Sequence, residues 1–289
     1  MKILILGGSG MVGHNLVKTL SDKHEVFASL RKNQKFELTS FFKNIIEESN
    51  CIYIENINDY FNLNNIIKNL SPEIIINCIG VIKQRDSVNN LCYMIKINAL
   101  LPHILNDICI KYKIKLIHLS TDCVFSGNKG DYKETDIPDP VDKYGQSKLL
   151  GEINEEGNAL TIRTSFIGVE LFNKKSLFEW IKSQKNGEIE GYDKAIYSGL
   201  TTNAFSRIIN EIIDNHLNLS GLWQISSKPI SKYDLIKMIN DKFNLNIKIN
   251  RNSSFQCNRS LNSSKFSKKT KILIPSWEKM INELYEAEK

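Results

Sequence analysis

Residues 2–13 read KILILGGSGMVG, five residues of unbroken strand character followed by glycines at positions 7, 10 and 13 where a helical pattern opens. An apolar run without alternation is what a strand covered on both faces requires, and such strands belong to parallel sheets whose crossovers carry helices. Working outward, further apolar runs stand at residues 25–29, 52–55, 73–78, 115–120 and 159–163. Between them lie helical patterns over 11–21, 59–70, 91–112 and 140–156. This rhythm predicts an α/β fold, a doubly wound parallel sheet of Rossmann type. Beyond about residue 168 strands become sparse, and helices are expected over 176–184, 202–217, 231–244 and 276–288. The expected organisation is a Rossmann domain over 1–168, to which 202–225 returns, with 169–201 and 226–289 forming a smaller C-terminal lobe.

The chain has 289 residues, 42% hydrophobic and 24% charged, which suits a globular protein with a packed core and excludes disorder, collagen-like repeats and a disulfide miniprotein. Its 38 basic and 32 acidic residues are scattered rather than gathered in a stripe, so no nucleic-acid partner is expected. Cys51, Cys78, Cys92, Cys109, Cys123 and Cys257 form no C-x-x-C pair and have no histidine-rich neighbour, so neither a metal site nor a disulfide framework is expected. They read as reduced thiols of a cytoplasmic protein. The opening apolar run stops after about five residues at the glycines, too short for a leader. Every later run is broken by Lys, Asn or Asp before the roughly 20 residues of a membrane helix.

Gly7, Gly10 and Gly13 sit between a strand and a helix. A tight turn, close backbone approach to a pyrophosphate and close helix-on-sheet packing each call for a residue without a side chain. The helix N-terminus adds free N–H groups and partial positive charge. The spacing predicts a dinucleotide site built from Gly7, Ser9, Gly10, Met11, Val12 and Gly13, with Ile79 and Gly80 beyond a later strand. The second strand, EVFASL, is followed by Arg31 and Lys32 with no acid in place. Two cations suit a 2′-phosphate, so NADPH is expected rather than NADH.

Tyr-x-x-x-Lys on a helix sets a phenol and an ammonium one turn apart, where the cation can lower the phenol's pKa and hold a nicotinamide ribose. The pattern occurs three times, at Tyr144/Lys148, Tyr233/Lys237 and Tyr285/Lys289. Position selects the first, which opens the helix after the fifth strand, with the hydroxyls of Ser120 and Thr121 at that strand's end.

These motifs together resemble the extended short-chain dehydrogenases/reductases. STDCVFSG over 120–127 and KGDYKETDIPDPVDKYGQSKLLGE over 129–152 are similar to dTDP-4-dehydrorhamnose reductases and to the bifunctional UDP-4-keto-6-deoxy-glucose 3,5-epimerase/4-reductases that make UDP-L-rhamnose. The resemblance covers roughly residues 1–230. It implies Thr121, Tyr144 and Lys148 as the reduction triad, a UDP- or dTDP-linked keto sugar as substrate and a homodimer as the assembly. Asn98 falls where the superfamily has an asparagine bracing the active site.

One departure bears on the chemistry. Plain reductases usually carry an aromatic residue where this chain has Cys123, whereas GDP-fucose synthase and the plant bifunctional enzymes have cysteine. In an extended stretch Thr121 and Cys123 would point the same way, with Asp122 opposite. A thiol would then lie beside the hydroxyl that binds a C4 ketone, where a base for C3 or C5 belongs. Epimerisation also needs an acid on the other face of the sugar. GDP-fucose synthase uses a histidine, and the matching stretch here, ELFNKKSLFEW, offers Lys174 and Lys175, of which Lys175 is taken as the acid if partial burial lowers its pKa. Trp223 and residues 225–235 are expected to shape the lobe rather than touch the sugar. His14, His24, His103, His118 and His216 are isolated in sequence and read as structural or surface residues. The resulting expectation is inversion at C5 and C3 and then reduction at C4. The alternatives are a reductase alone and, from another class, a cofactor-binding regulatory subunit like the β subunit of methionine adenosyltransferase.

Overall fold

The computed structural model describes residues 1–31, 41–82, 90–172 and 174–289. Among the described residues the first 164 positions supply six strands: β1 (Lys2–Leu6), β2 (Glu25–Arg31), β3 (Cys51–Ile54), β4 (Ile74–Asn77), β5 (Lys115–Thr121) and β6 (Ala159–Thr164). They lie in the order β3-β2-β1-β4-β5-β6, and the strand Gly221–Gln224 completes the sheet beside β6. Every pairing is parallel. Strand order reverses between β1 and β4, and the crevice beyond the carboxyl ends of these two strands is where open α/β sheets bind ligands.

Alternation along β1 shows how the layers form. Ile3 and Ile5 join one core with Leu16, Val17 and Leu20 of the helix Gly13–Leu20 and with Phe205, Ile208 and Ile212 of the helix Thr202–Asn215. Leu4 and Leu6 face the other side, against Leu63 and Ile67 of Tyr60–Leu70 and Leu105 and Ile108 of Leu101–Tyr112. Successive side chains of a strand point to opposite faces, so one apolar pentapeptide nails both helical layers to the sheet. Each fully buried Leu or Ile contributes about 1.5–3 kcal/mol.

Two helices differ from their expected form. Residues 91–112 are α-helical at Leu91–Met94, π-helical at Ile95–Leu100 and α-helical again at Leu101–Tyr112. The expected helix over 140–156 is limited to Lys143–Leu150. Asp142 caps its start by accepting a bond from the Gly145 N–H at 2.8 Å. At its end, a Cβ on Gly151 would stand 2.0 Å from the Asn98 carbonyl oxygen, so glycine alone lets the chain pass the π-helical segment here.

The remaining strands are short and form three small sheets. Phe166–Ile167 pairs with Leu200–Thr201, and Glu188–Tyr192 pairs with Lys248–Asn252. In the third, Ala195–Tyr197 lies between Ile230–Ser231, antiparallel to it, and Cys257–Asn258, parallel to it.

Under the carboxyl ends of β5 and β6 a buried ion pair ties the sheet to the segment after the helix Lys143–Leu150. Arg163 donates from Nε and Nη2 to the two carboxylate oxygens of Glu152, both at 2.7 Å, and Ser120 Oγ donates to Glu152 Oε1 at 2.6 Å. Both side chains are almost wholly excluded from solvent. Removing one partner of such a pair strands the other charge, so Glu152→Gln should lower the free energy of unfolding in urea by about 3–5 kcal/mol. Replacing Glu152 and Arg163 together by Met should cost less than Glu152→Gln alone.

Candidate active site

The glycine turn is fixed to β2 by two bonds: Gly7 N–H donates to Ser29 Oγ and Gly8 N–H to the Ser29 carbonyl, both at 2.9 Å. Gly7 has φ +81°, a left-handed conformation that favours glycine. A Cβ on Gly13 would come within 2.1 Å of the Gly7 carbonyl oxygen, so the helix can start this close to the turn only with glycine there. Val12 has no side-chain capping bond and the first turn carries no acid, which leaves the helix N-terminus available to an anion.

Beyond this turn lies a cleft of about 680 Å³, lined by Gly7, Ser9, Gly10 and Met11, by Ile79 and Gly80 after β4, and by Arg31 at the end of β2. Val12 is buried behind the loop, and Gly13 acts through its contact with Gly7, so both shape the cleft without lining it. Arg31 is exposed, as a side chain reaching for a soluble phosphate must be. Lys32 lies outside the described residues. A cradle that any Cβ would fill, a free helix N-terminus and a cation at the second strand together fit a dinucleotide with a 2′-phosphate.

Thr121, Tyr144 and Lys148 do not line this cleft; Lys148 lies within electrostatic reach of Cys78, which does. Thr121 ends β5, while Tyr144 and Lys148 are one turn apart on the helix Lys143–Leu150. This helix runs close to the chain after β5, since a Cβ on Gly145 would meet the Cys123 carbonyl oxygen at 2.2 Å. The hydroxyls of Thr121 and Tyr144 are hydrogen-bonded. Lys148 is buried and donates from Nζ to the Leu119 carbonyl at 2.6 Å. Burial pulls its ammonium down to about 8, opposed by the carboxylate of Glu152 and by Cys78. The Tyr144 phenol moves the other way. Burial raises it, Cys123, Asp122 and Asp142 add to the rise, and the Thr121 bond opposes it. Burial therefore outweighs the lowering expected from Lys148 and keeps the phenol protonated, the state from which a general acid starts.

Asn98 is fully buried in the π-helical segment and braces the site. Its Oδ1 accepts from Val81 N–H at 2.8 Å, and its Nδ2 donates to the Val81 carbonyl at 3.0 Å and to Ser147 Oγ at 3.1 Å. Among the histidines, His14 bonds the Gly10 carbonyl through Nδ1, and His118 is sealed under the sheet beside Asn77. Neither bonds to the triad.

The stretch after Thr121 is not extended. Asp122–Val124 forms a 3-10 turn, begun where Thr121 Oγ1 accepts from the Cys123 N–H at 3.2 Å and donates to Asp122 Oδ1 at 3.1 Å. Asp122 consequently does not point away from the thiol but is buried within electrostatic reach of Tyr144, Tyr197 and Lys232. Cys123 meets Arg259, whose Nη1 lies 3.7 Å from Sγ while its Nε donates to the Phe125 carbonyl at 2.8 Å. Lys232 stands with its Nζ 3.7 Å from the centre of the Tyr197 ring. Lys175 is exposed, lacking the partial burial an acid there needed, and its backbone N–H bonds Glu170 at 2.6 Å. Lys232, from the segment expected only to shape the lobe, and Arg259, which carried no motif, are the cations gathered near Cys123. Their signal in the sequence was no stronger than that of any other basic residue.

Among the described residues no cluster of His, Cys, Asp and Glu could hold a metal ion, and no helix is long and apolar enough to cross a membrane. The chain is 26% identical over 251 residues to dTDP-4-dehydrorhamnose reductase of Aggregatibacter actinomycetemcomitans, covering 83% of this chain and 79% of that protein. It is 24% identical over 263 residues to methionine adenosyltransferase 2 subunit beta of Bos taurus, covering 84% of this chain and 72% of that one. A dTDP-4-dehydrorhamnose reductase from Bacillus anthracis, solved in complex with NADP, superimposes with a TM-score of 0.80 at 21% identity over 100% of this chain and 99% of that one. The profile of the RmlD substrate binding domain matches residues 1–289, and the chain belongs to that family.

Proposed function

We propose that the protein is an NADPH-dependent reductase of the C4 ketone of a nucleotide-linked 4-keto-6-deoxyhexose. The observation that carries this reading is the hydrogen-bonded pair of Thr121 and Tyr144 hydroxyls, with Lys148 one turn away and within electrostatic reach of Cys78 in the lining of a dinucleotide-shaped cleft. NADPH, held by the Gly7–Gly13 turn, Ile79, Gly80, Lys148 and Arg31, would supply hydride to C4. Thr121 and Tyr144 orient the ketone oxygen by two hydrogen bonds, and Tyr144 gives up its proton as negative charge gathers there. Lys148, held by the Leu119 carbonyl, favours the phenolate left behind.

We further propose that C5 and C3 are inverted before reduction, with UDP-4-keto-6-deoxy-glucose as substrate and UDP-L-rhamnose as product. The contact between Cys123 and Arg259 favours this second activity, because a thiol beside a guanidinium is a competent base. The order follows from chemistry, since protons next to the carbonyl are acidic only while the ketone survives. Thr121 and Tyr144 would stabilise the enolate with the same bonds they use in reduction. Incubating the protein with the UDP- and dTDP-linked 4-keto sugars in deuterated water without NADPH separates the activities. Deuterium at C3 or C5 supports epimerisation, and its absence leaves the reductase alone. Steady NADPH consumption with either sugar or with its already epimerised 4-keto-L-form supports the enzyme, whereas no consumption with any of them points to the non-catalytic role suggested by the similarity to the methionine adenosyltransferase subunit.

Tyr144→Phe should slow reduction by about 10²–10⁴ while NADPH still binds, as followed by nucleotide fluorescence. Tyr233→Phe, at a chance occurrence of the motif, should behave as wild type. Arg31→Ala should weaken NADPH binding by on the order of 1.5–3 kcal/mol and leave NADH binding nearly unchanged. A native preference for NADH would refute the assignment of Arg31. Because Lys148 loses its proton near pH 8, kcat/KM for reduction should be sustained below that pH and fall as pH rises through it. A profile flat to pH 10 would remove the charged lysine from the chemistry.

A further inference from the structure

The third small sheet gathers residues far apart in sequence. Tyr197 is the last residue of its middle strand, Lys232 immediately follows one outer strand, and Arg259 immediately follows the other. All three arrive at the 3-10 turn that carries Asp122 and Cys123. The sheet is fixed against that turn by two bonds, from Asn258 N–H to the Gly127 carbonyl at 2.7 Å and from Arg259 Nε to the Phe125 carbonyl at 2.8 Å. With Nε bonded to the backbone, the guanidinium presents its Nη1 at 3.7 Å from Cys123 Sγ.

We infer that Arg259, seconded by Lys232, holds Cys123 as a thiolate and is thereby a positioning residue for proton abstraction, an inference that rests on the epimerisation reading above. The groups around the thiol are Arg259 and Lys232 as cations, Asp122 as the adjacent anion, Asp142 as a second carboxylate acting on Arg259 and Tyr144, and the Tyr144 and Tyr197 phenols, with Cys257 sharing the two cations. The cations are not in excess over the carboxylates, so what favours an anionic sulfur is the direct contact of the guanidinium with Sγ at 3.7 Å. The two cations are not equivalent. Burial brings Lys232 down to about 8 against the pull of Asp122, Cys123 and Cys257, so its charge disappears in mildly alkaline solution. Burial acts on Arg259 too, but Cys123, Cys257, Asp122 and Asp142 hold its guanidinium above the ordinary value. An arginine stays charged at every working pH. Cys78 supplies the contrast: burial pushes its thiol up to about 12 against the opposing charge of Lys148.

In the step itself the thiolate takes a proton from the carbon next to the ketone. The C–H bond breaks, an S–H bond forms, and the electron pair passes to O4, where Thr121 and Tyr144 donate hydrogen bonds. A proton taken from solvent on the other face restores the ketone with inverted configuration, and loss of the thiol proton to solvent regenerates the base.

The test is the pH dependence of iodoacetamide alkylation at Cys123, resolved from the other cysteines by peptide mass spectrometry on the full chain. In the wild type the midpoint at Cys123 should lie below that of exposed Cys92 in the same sample, a comparison that needs no variant. In Arg259→Gln it should rise by about one pH unit or more, and in Arg259→Lys it should fall between the two. A wild-type midpoint at or above that of Cys92, or one unmoved in Arg259→Gln, overturns the inference. Deuterium exchange into UDP-4-keto-6-deoxy-glucose is read separately on the same proteins. Exchange whose pH profile shifts to alkaline values with the alkylation midpoint supports both claims. A lowered alkylation midpoint in a wild type that performs no exchange retains the thiolate and discards the epimerisation reading.

Discussion

The buried pair of Glu152 and Arg163 is the constraint on which the site rests. Taking two charges out of water costs several kcal/mol per ion, and that cost is offset only when geometry and further hydrogen bonds are near ideal. Here the guanidinium grips the carboxylate with two bonds, Ser120 adds a third, and the Phe125 ring covers the guanidinium at 5.1 Å. The participants come from the end of β5, the end of β6, the turn after β5 and the segment after the helix of Tyr144 and Lys148. These pieces can satisfy the two charges only in one mutual position, and that position brings Thr121 to Tyr144.

The same pair has an electrostatic role. Burial favours the neutral form of every group, which helps the Tyr144 phenol keep its proton and works against the Lys148 ammonium. A fold that merely sealed the site would produce two neutral partners. Glu152, one turn beyond Lys148 on the chain, is the counterweight that resists this for the lysine without lowering the phenol. A protonated phenol and an ammonium can therefore stand one helical turn apart in the same dry pocket, the two states that the proposed reduction needs.

What could be read in the sequence was what depends on neighbours along the chain. The β1 pentapeptide, the three glycines and the Tyr144/Lys148 spacing each carry their meaning within a dozen residues, and the sheet and the lining of the cleft by Gly7, Ser9, Gly10 and Met11 follow from them. The turn after Thr121 was misread as extended because a single hydroxyl, bonded to Asp122 and to the Cys123 N–H, bends it into a 3-10 turn. Lys232 and Arg259 were not legible, since they reach Cys123 only through pairings of two- and three-residue strands too short to leave a pattern. The expectation for Lys175 rests on a stretch matching that of GDP-fucose synthase, and two adjacent lysines carry no signal of the exposed position it takes. The pairing of Glu152 with Arg163 had no signal either, as an acid and a base 11 positions apart are commonplace in a chain of this composition.

The π-helical segment Ile95–Leu100 has a consequence for how this scaffold tolerates length changes. A π turn accommodates one residue more than the α-helix around it, and each residue of an α-helix advances the side-chain direction by about 100°. Losing a single residue there would let the helix close into regular α geometry, at a gain in backbone hydrogen bonding. It would also turn everything on one side of the deletion by more than a quarter revolution relative to the other. The Asn98 carboxamide would leave Val81 and Ser147, and the carbonyl that now passes over Gly151 would be replaced by another part of the helix surface. A one-residue deletion in this turn would thus be felt at Val81, Ser147 and Gly151 together, whereas one in a surface loop would not.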